Sequence, residues 1–387
     1  MAQESAHGGW LKSYFQEHLE EMVDFLGWLV QQESMSRVPE ATSQIAEEFG
    51  ARLGELGAAV ELIRNEHSGA SILARFNHAC KDPAANQLLI VGHLDTVWPL
   101  GTLERQPFRI ENGLAYGPGI FDMKAGLTIA FFAIRALKEA AYETMRPVAM
   151  LVTCDEETGS LYNRTVIEAE GRRSHAALVL EPPIPGGKLK TGRKGVGEFE
   201  MIITGKAAHA GNDPRAGVSA ITEMAHQILA INAMSDYERG TTLNVGVVSG
   251  GVLSNVIPAQ ARARIDMRYQ TTEEGTRITE ALGKLRPVLA GAHIEVSGGI
   301  NRPPMIRTAA IEELFEHARR LASEIGFDVG QGSVGGGSDG NFIAANGVPV
   351  LDGLGVDGAG AHAEHEHVII SDIPQRAALL ARLVETI

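Results

Sequence analysis

Histidine and carboxylate residues follow three short apolar segments of the chain, each at the point where the segment ends. The segments cover residues 87–92, 148–153 and 176–180. The residues that follow them are His93, Asp95, Glu156, Glu157 and Glu181. A further carboxylate, Asp122, opens the helical pattern between the first two segments. Imidazole and carboxylate groups bind metal ions and transfer protons. These residues could therefore form a metal-binding or catalytic site, provided that the fold brings them together.

The three segments have the length and composition of strands that are buried on both faces of a sheet. A helix is predicted between the first two, over residues 123–140. This alternation indicates an α/β domain with a mostly parallel sheet, whose ligands bind outside the carboxyl ends of the strands. A single histidine at a strand end more often has a structural role than a functional one. Here, however, all these residues are predicted to lie at the same edge of one sheet, which favours a functional site. Such a negative cluster needs cations, and mixed nitrogen and oxygen ligands suit zinc, with Co²⁺ or Mn²⁺ as substitutes.

Other elements of this domain lie at both ends of the chain. Amphipathic helices are predicted over residues 11–29 and 41–56, from apolar residues at three- and four-residue spacing. The C-terminal part is predicted to contain a helix at 311–325, a glycine-rich loop at 330–340, a strand at 348–351 and a closing helix at 374–386.

The middle of the chain has a different pattern, bounded by proline-rich segments at 182–187 and 301–304. It is predicted to contain strands at 198–204, 242–248, 261–269 and 293–297, with helices at 218–231 and 272–285. This βαββαβ order is typical of a ferredoxin-like α+β domain. We therefore expect a catalytic domain formed by residues 1–190 and 304–387, interrupted by an inserted domain at 191–303.

Composition restricts the classes of partner. The chain has 387 residues, a formal net charge of −14 and only 5% aromatic residues, which disfavours nucleic acid and membrane surfaces as partners. The two cysteines, Cys80 and Cys154, cannot form a disulfide framework, and Cys154 is expected to be buried. The N-terminal residues do not have the pattern of a signal peptide and no apolar stretch is long enough to span a bilayer, so a cytoplasmic protein is expected.

The motifs around these residues resemble a family of zinc metallopeptidases. The family includes glutamate carboxypeptidase, acetylornithine deacetylase, succinyl-diaminopimelate desuccinylase and aminoacylase. The motifs are HLDTV at 93–97, GPG at 117–119 with DMK at 122–124, DEETG at 155–159 and NVIP at 255–258. The resemblance covers nearly the whole chain. The segments at 335–339 and 352–355 look most like glutamate carboxypeptidase.

The resemblance implies two zinc ions per subunit and a role for each residue of the cluster. Asp122 would bridge the metals, His93 and Glu181 would complete one site, and Glu157 and a late histidine would complete the other. Glu156 would be the general base, and Asp95 would orient the imidazole of His93. Family members also have a cis peptide bond after the bridging aspartate.

The late histidine is one of three in a single loop, namely His362, His365 and His367. His362, with Glu366 four residues later, matches the family spacing best. The other two are expected to be exposed loop residues.

The inserted domain would contribute to the substrate site. The resemblance implies that His209 stabilises the oxyanion in the partner subunit of a homodimer. Arg268 would bind the substrate carboxylate with help from Asn255, although without the resemblance Arg268 would be interpreted as a surface residue. The loop residues Gly337 and Ser338 are also predicted to contact the substrate.

The sequence therefore predicts a dinuclear zinc hydrolase that cleaves N-acyl or N-aminoacyl amino acids with a free α-carboxylate. One alternative is a deacylase of a small biosynthetic intermediate, of the acetylornithine or succinyl-diaminopimelate type. The other alternative is an inactive relative that serves as a binding protein, which the intact set of site residues disfavours. The side-chain preference stays open. Arg193 and Lys194 could favour an acidic substrate or be surface charges.

Overall fold

The computed structural model describes residues 2–76 and 79–387. Its helices are α1 (Ala2–Glu17), α2 (Leu19–Gln31), α3 (Pro39–Glu55), α4 (Ala125–Glu139), α5 (Arg164–Arg172), α6 (Ala220–Asn232), α7 (Thr272–Gly283), α8 (Ala309–Ile325), α9 (Gly340–Ala345) and α10 (Ile373–Thr386). Its strands are β1 (Ala58–Asn65), β2 (Gly69–Phe76), β3 (Gln87–His93), β4 (Arg109–Glu111), β5 (Leu114–Tyr116), β6 (Val148–Thr153), β7 (Ser174–Val179), β8 (Leu189–Arg193), β9 (Gly195–Thr204), β10 (Thr242–Gly250), β11 (Gln260–Tyr269), β12 (His293–Arg302), β13 (Gln331–Val334), β14 (Val350–Leu351), β15 (Gly358–Ala359) and β16 (His367–Ile369).

The chain folds into two compact units. The first contains the residues up to Gly192 together with Arg307–Val334 and Ser338–Ile387. The second contains Arg193–Ile306 and Gly335–Gly337. The first unit is therefore built from both ends of the chain.

A six-stranded sheet forms the centre of the first unit, in the order β1-β2-β6-β3-β7-β14. The four strands from β6 to β14 are parallel, and β3 and β6 are buried along their whole length. Their apolar side chains share one core with the buried faces of α2, α4 and α10. The predicted mostly parallel sheet with helices is confirmed.

The other edge of this sheet was not predicted. Strands β1 and β2 form an antiparallel hairpin, and β2 joins the parallel strands through antiparallel pairing with β6. The N-terminal helix also differs from the prediction, because His18 separates α1 from α2 with a backbone outside the helical range. The Nδ1 of His18 lies 2.8 Å from the main-chain oxygen of Tyr14, so its side chain competes for a helical acceptor.

A small antiparallel sheet in the first unit has the order β15-β16-β5-β4. It connects the loop between β15 and β16 to the segment that precedes α4, because β16 pairs with β5. Both cysteines are free thiols, and Cys154 is buried as predicted. Within the described residues, none of the helices has the length and apolarity that crossing a bilayer requires.

The second unit has the predicted order βαββαβ. Its antiparallel sheet has the strand order β10-β11-β9-β12. Buried residues alternate with more exposed residues along β9 and β11, so one face of the sheet is apolar. That face shares a second core with α6 and α7, separate from the core of the first unit.

Candidate active site

The predicted cluster forms at the carboxyl edge of the parallel strands in the first unit. His93 ends β3, while Glu156 and Glu157 lie in a short 3₁₀ turn after β6. Glu181 lies two residues after β7. Asp122 lies in an irregular segment before α4, so the regular helix starts at Ala125 rather than at the predicted position 123. The peptide bond between Asp122 and Met123 is cis, as predicted.

The first half of the cluster is centred on the imidazole of His93, which is only 2% exposed. Its Nε2 lies 3.2 Å from Oδ1 of Asp122 and 3.6 Å from Oε1 of Glu181. One histidine nitrogen therefore faces two carboxylates from different loops.

The second half of the cluster is centred on His362, in the loop between β15 and β16. Its Nε2 lies 3.4 Å from Oδ2 of Asp122 and 3.1 Å from Oε2 of Glu157. Asp122 thus lies between the two histidines, with one carboxylate oxygen directed to each. His367 lies at the start of β16, and its Nδ1 is 2.8 Å from the main-chain oxygen of His365.

Asp95 connects the two loops that follow β3 and β6. Its carboxylate accepts hydrogen bonds from the main-chain N–H groups of Glu156 and Glu157, both at 3.2 Å. The Nδ1 of His93 lies closer to the main-chain oxygen of Asp95 (2.9 Å) than to its carboxylate (3.5 Å). A carbonyl oxygen only accepts, so Nδ1 carries the proton and, in the neutral imidazole, the lone pair of Nε2 faces the carboxylates.

Glu156 also approaches the cluster. Potential ligand atoms of Glu156, His93 and Glu181 lie within 4.8 Å of one another, as do those of His93, Asp122 and Glu157. The geometry therefore allows Glu156 to reach the cluster either as a ligand or as a proton acceptor beside it.

The side chains of the cluster strongly affect each other's pKa values. Burial acts to lower the pKa of His93, but hydrogen bonds to the surrounding carboxylates outweigh it and raise that pKa well above its ordinary value. Hydrogen bonds to Asp122 and then Glu157 raise the pKa of His362 to about 10. Burial acts to raise the pKa of Asp122, but the two histidines hold it well below the usual range. The cluster thus favours positive charge between its carboxylates.

A metal ion is a physically reasonable source of that charge. Oε1 of Glu157 is buried, and none of the described residues donates a hydrogen bond to it. A buried carboxylate oxygen without a donor is costly unless a cation contacts it. The donor set of imidazole nitrogen and carboxylate oxygen is one that divalent metals accept, so these residues fit a metal site.

The loop at 335–339 was predicted to contact the substrate. Ser338 is buried, and its hydroxyl group donates to Oδ2 of Asp352 at 2.8 Å. The main-chain oxygen of Gly337 accepts from Nη1 of Arg193 at 3.0 Å. Arg193 is itself buried, so it stabilises this loop in the structure and is not a surface charge. The substrate contacts of Gly337 and Ser338 stay predictions.

Within the second unit, His209 and Asn255 lie on neighbouring segments. The main-chain N–H of Ala210 donates to the main-chain oxygen of Asn255 at 2.9 Å. Nδ1 of His209 accepts from the main-chain N–H groups of Gly211 and Asn212, both at 3.1 Å. Because those groups only donate, Nδ1 carries no proton, and the neutral ring presents its N–H at Nε2.

Arg268 lies near the end of β11 in the second unit. Its Nε and Nη2 form a bidentate pair with the carboxylate of Asp266, at 2.8 to 3.1 Å. Nη1 takes no part in that pair. The guanidinium group is therefore held in one orientation, and its role towards a substrate stays a prediction.

Two buried charged residues near the cluster were not assigned a role from the sequence. Nζ of Lys190 lies 3.8 Å from Oε2 of Glu181, and Glu366 contacts the segment that carries Asp122. In the sequence, the only indication of a role for Glu366 was its position four residues after His362. Lys190 had no such indication in the sequence, because its position near Glu181 depends on how β8 pairs with other segments of the fold.

Comparison with known proteins supports the resemblance. The profile of peptidase family M20/M25/M40 matches residues 89–386. Carboxypeptidase G2 from Pseudomonas sp. is 32% identical over 339 residues, which cover 86% of this chain and 81% of that protein. Succinyl-diaminopimelate desuccinylase from Thioalkalivibrio sulfidiphilus is 31% identical, over 74% of this chain and 80% of that protein.

Solved structures show the same fold. Aminopeptidase PepT from Bacillus cereus superimposes with a TM-score of 0.75 at 24% identity, covering 95% of this chain and 98% of that chain. The M20 family metallo-carboxypeptidase Sso-CP2 from Sulfolobus solfataricus gives a TM-score of 0.72 at 18% identity, with the same coverage of 95% and 98%. The family resemblance found in the motifs is confirmed: the chain belongs to peptidase family M20/M25/M40.

Proposed function

We propose that the protein is a dinuclear zinc hydrolase that cleaves the amide bond of N-acyl or N-aminoacyl amino acids with a free α-carboxylate. The observation that carries this proposal is the position of Asp122 between His93 and His362, with one carboxylate oxygen towards each ring. Glu181 and Glu157 lie on the two outer sides of this arrangement. Two metal sites that share one carboxylate fit this symmetry.

Zinc fits the donor set best, and Co²⁺ or Mn²⁺ would be substitutes. His93, Glu181 and Asp122 would hold one ion, and His362, Glu157 and Asp122 would hold the other. A pair of divalent cations supplies positive charge that polarises the scissile carbonyl group and makes water a better nucleophile.

Glu156 is the proposed general base. It accepts a proton from the attacking water and returns it to the leaving amine. Asp95 supports this role, since its carboxylate binds the main-chain N–H groups of Glu156 and Glu157 and so orients the turn that carries both. The same residue fixes the tautomer of His93 through its main-chain oxygen.

His209 is the proposed donor to the oxyanion that develops on the carbonyl group. The hydrogen bonds that Nδ1 accepts from Gly211 and Asn212 leave Nε2–H as the donor, which is the tautomer that this role requires. Following the family resemblance, we propose that His209 acts in the partner subunit of a homodimer.

Arg268 and Asn255 are the proposed contacts of the substrate carboxylate. Asp266 occupies Nε and Nη2 of Arg268, which orients the guanidinium group while Nη1 stays outside that pair. A fixed guanidinium group binds a carboxylate with little loss of conformational entropy.

A deacylase of a small biosynthetic intermediate is the second candidate. It is favoured by the desuccinylase relative, whose 31% identity is close to the 32% of carboxypeptidase G2. The two functions differ in the amino acid that is released and in the acyl group, so kcat/KM for N-aminoacyl and N-acyl glutamates should be compared with kcat/KM for N-succinyl-diaminopimelate and N-acetylornithine. A clear preference for either pair decides between them.

The proposed function is tested by removing metal and returning it. The protein is dialysed against a chelator, and hydrolysis of an N-acyl glutamate is measured while zinc is added stepwise. Activity should rise until about two zinc ions are bound per chain. The matching α-carboxamide substrate should be hydrolysed far more slowly, because it lacks the charge that Arg268 would bind. Full activity without metal, or equal rates on the two substrates, would contradict the proposal.

A further inference from the structure

Glu366 is a buried acidic residue that the proposed reaction does not use. It lies in the loop between β15 and β16, four residues after His362, and is 2% exposed. Its neighbours in the same loop, Glu364 and His365, are exposed. A buried carboxylate is retained only when charges or hydrogen bonds stabilise it, so its contacts reveal its role.

Both oxygens of the Glu366 carboxylate are saturated with donors. Oε1 accepts from the main-chain N–H groups of Phe121 (2.9 Å) and Asp122 (3.0 Å). Oε2 accepts from the main-chain N–H of Gly119 and the indole N–H of Trp98, both at 2.8 Å. A carboxylate is the side-chain group that accepts four hydrogen bonds without offering one, so a neutral side chain would leave at least one of these donors without an acceptor.

These four bonds connect three loops that carry residues of the cluster. Trp98 lies in the loop that follows His93 and Asp95, and the N–H groups at 119–122 belong to the segment of Asp122. Glu366 itself belongs to the loop of His362. The carboxylate is thus a common contact of the segments that bear both histidines and the aspartate between them.

A buried cation, Lys124, lies two residues after Asp122 in the chain. Lys124 is 1% exposed, and its ammonium group interacts electrostatically with Glu366 and Glu33. Nζ of Lys124 donates to the main-chain oxygen of Gln32 at 2.8 Å, which fixes its position. The four donors to its two oxygens hold the Glu366 carboxylate against the Asp122 segment.

We propose that Glu366 is a positioning residue that holds the loops of His93, Asp122 and His362 in the geometry that binds two metal ions. This inference rests on the proposed function, because it concerns the same metal pair. Hydrogen-bonding partners behind metal ligands commonly affect metal affinity about 10- to 100-fold.

The test compares wild-type protein with Glu366→Gln, and Co²⁺ is the probe. Glutamine has the same size, but its amide NH₂ group would face two N–H donors, so two of the four hydrogen bonds are lost. Metal-free proteins are titrated with Co²⁺, and affinity, stoichiometry and the visible absorption spectrum of the bound ions are measured. We expect at least one Co²⁺ to bind about 10- to 100-fold more weakly, with a changed spectrum.

Glu364→Gln is the matched control, because it makes the same chemical change at an exposed position of the same loop. It should bind two Co²⁺ ions with the wild-type spectrum. The melting temperature of each metal-free protein separates a loss of positioning from a general loss of stability.

If Glu366→Gln does not fold, the variant Trp98→Phe tests the inference instead. It removes one of the four hydrogen-bond donors to Glu366 and leaves the carboxylate in place. A few-fold weaker Co²⁺ binding by that variant supports the inference, and unchanged binding overturns it.

The outcomes distinguish this inference from the proposed function. If wild-type protein binds no Co²⁺ at the cluster, the metal site itself is wrong. If wild-type and Glu366→Gln bind two ions with equal affinity and equal spectra, only the role of Glu366 is wrong. A lower melting temperature with unchanged Co²⁺ binding would likewise overturn it, because Glu366 would then serve stability alone.

Discussion

At the scale of single residues, the proposed function assigns metal binding and proton transfer to different carboxylates of the cluster. Asp122 contacts both histidines and so contributes to both proposed metal sites. Glu156 approaches His93 and Glu181 but is proposed to carry protons. Neighbouring carboxylates with different roles should give variants with different defects.

We predict that Glu156→Gln retains two metal ions but loses about 10²- to 10⁴-fold in kcat, the usual contribution of a general acid–base group. Glutamine keeps the shape of the side chain but cannot accept the proton from water. Elemental analysis of the purified variant, together with kcat at saturating substrate, checks both parts.

Asp122→Asn is the contrasting variant. It replaces the oxygen directed at one histidine by an amide nitrogen, which is a poor metal ligand, so metal and activity should be lost together. If Glu156→Gln lost a metal ion instead, Glu156 would be a ligand and the general base would have to be another residue.

The residue types of the cluster were predictable from the sequence because strand ends can be identified from apolar segments. The hydrogen-bond partners of Asp95 could not be predicted in the same way. Its closest contact with His93 uses the main-chain oxygen, while its carboxylate binds the turn after β6. Such choices between main-chain and side-chain atoms depend on loop conformation, which residue types do not determine.

At the scale of elements, the cluster depends on the close approach of α4 to the end of β7. A Cβ atom added to Gly126 would lie 2.2 Å from the main-chain oxygen of Leu180. The residue that follows Leu180 is Glu181, and α4 begins three residues after Asp122. Gly126 therefore allows two residues of the cluster to come together.

We predict that Gly126→Ala destabilises the protein by about 1–3 kcal/mol or more and weakens metal binding. Because the clash is with main-chain atoms, α4 and the Glu181 segment must move apart. Urea denaturation of the metal-free protein measures the first effect, and zinc titration measures the second.

Gly54→Ala is the control within another helix. Gly54 lies in α3, and an added Cβ atom would have no neighbour within 4 Å. This substitution should stabilise the protein by about 0.4–1 kcal/mol, because alanine restricts the unfolded chain. If Gly126→Ala were equally harmless, the close approach would not be needed for the cluster.

The strands at the centre of the sheet were predictable because they are continuous apolar runs. The hairpin of β1 and β2 was not, for two physical reasons. Strand β1 is an edge strand with Glu61 and Arg64 along a half-exposed surface, so it lacks an apolar run. Strand β2 contains glycine, alanine and serine, which have weak strand preference, and its pairing with β6 stabilises it.

At the scale of the whole molecule, the proposed reaction uses residues of both units. The βαββαβ order of the second unit was predictable because its strands and helices occupy separate segments, and its two central strands, β9 and β11, alternate buried and more exposed residues. Its role as a dimerisation domain stays a proposal, since the pattern of one chain does not determine how two chains associate.

We predict that His209→Ala retains its metal ions but loses kcat, and that mixing it with Glu156→Gln restores activity. A mixed dimer would contain one site with both residues intact, so about a quarter of wild-type activity is expected after subunit exchange. Exchange is verified with differently tagged subunits. If exchange occurs and activity stays absent, His209 does not act across a dimer.

The proposed function requires the cluster to hold two metal ions, one on either side of Asp122. Anomalous X-ray diffraction at the zinc absorption edge, from crystals of the zinc-loaded protein, would locate these ions. We expect two anomalous peaks that share Asp122, one beside His93 and Glu181 and the other beside Glu157 and His362. A single peak, or no peak at these residues in crystals that contain zinc, would contradict the proposed function.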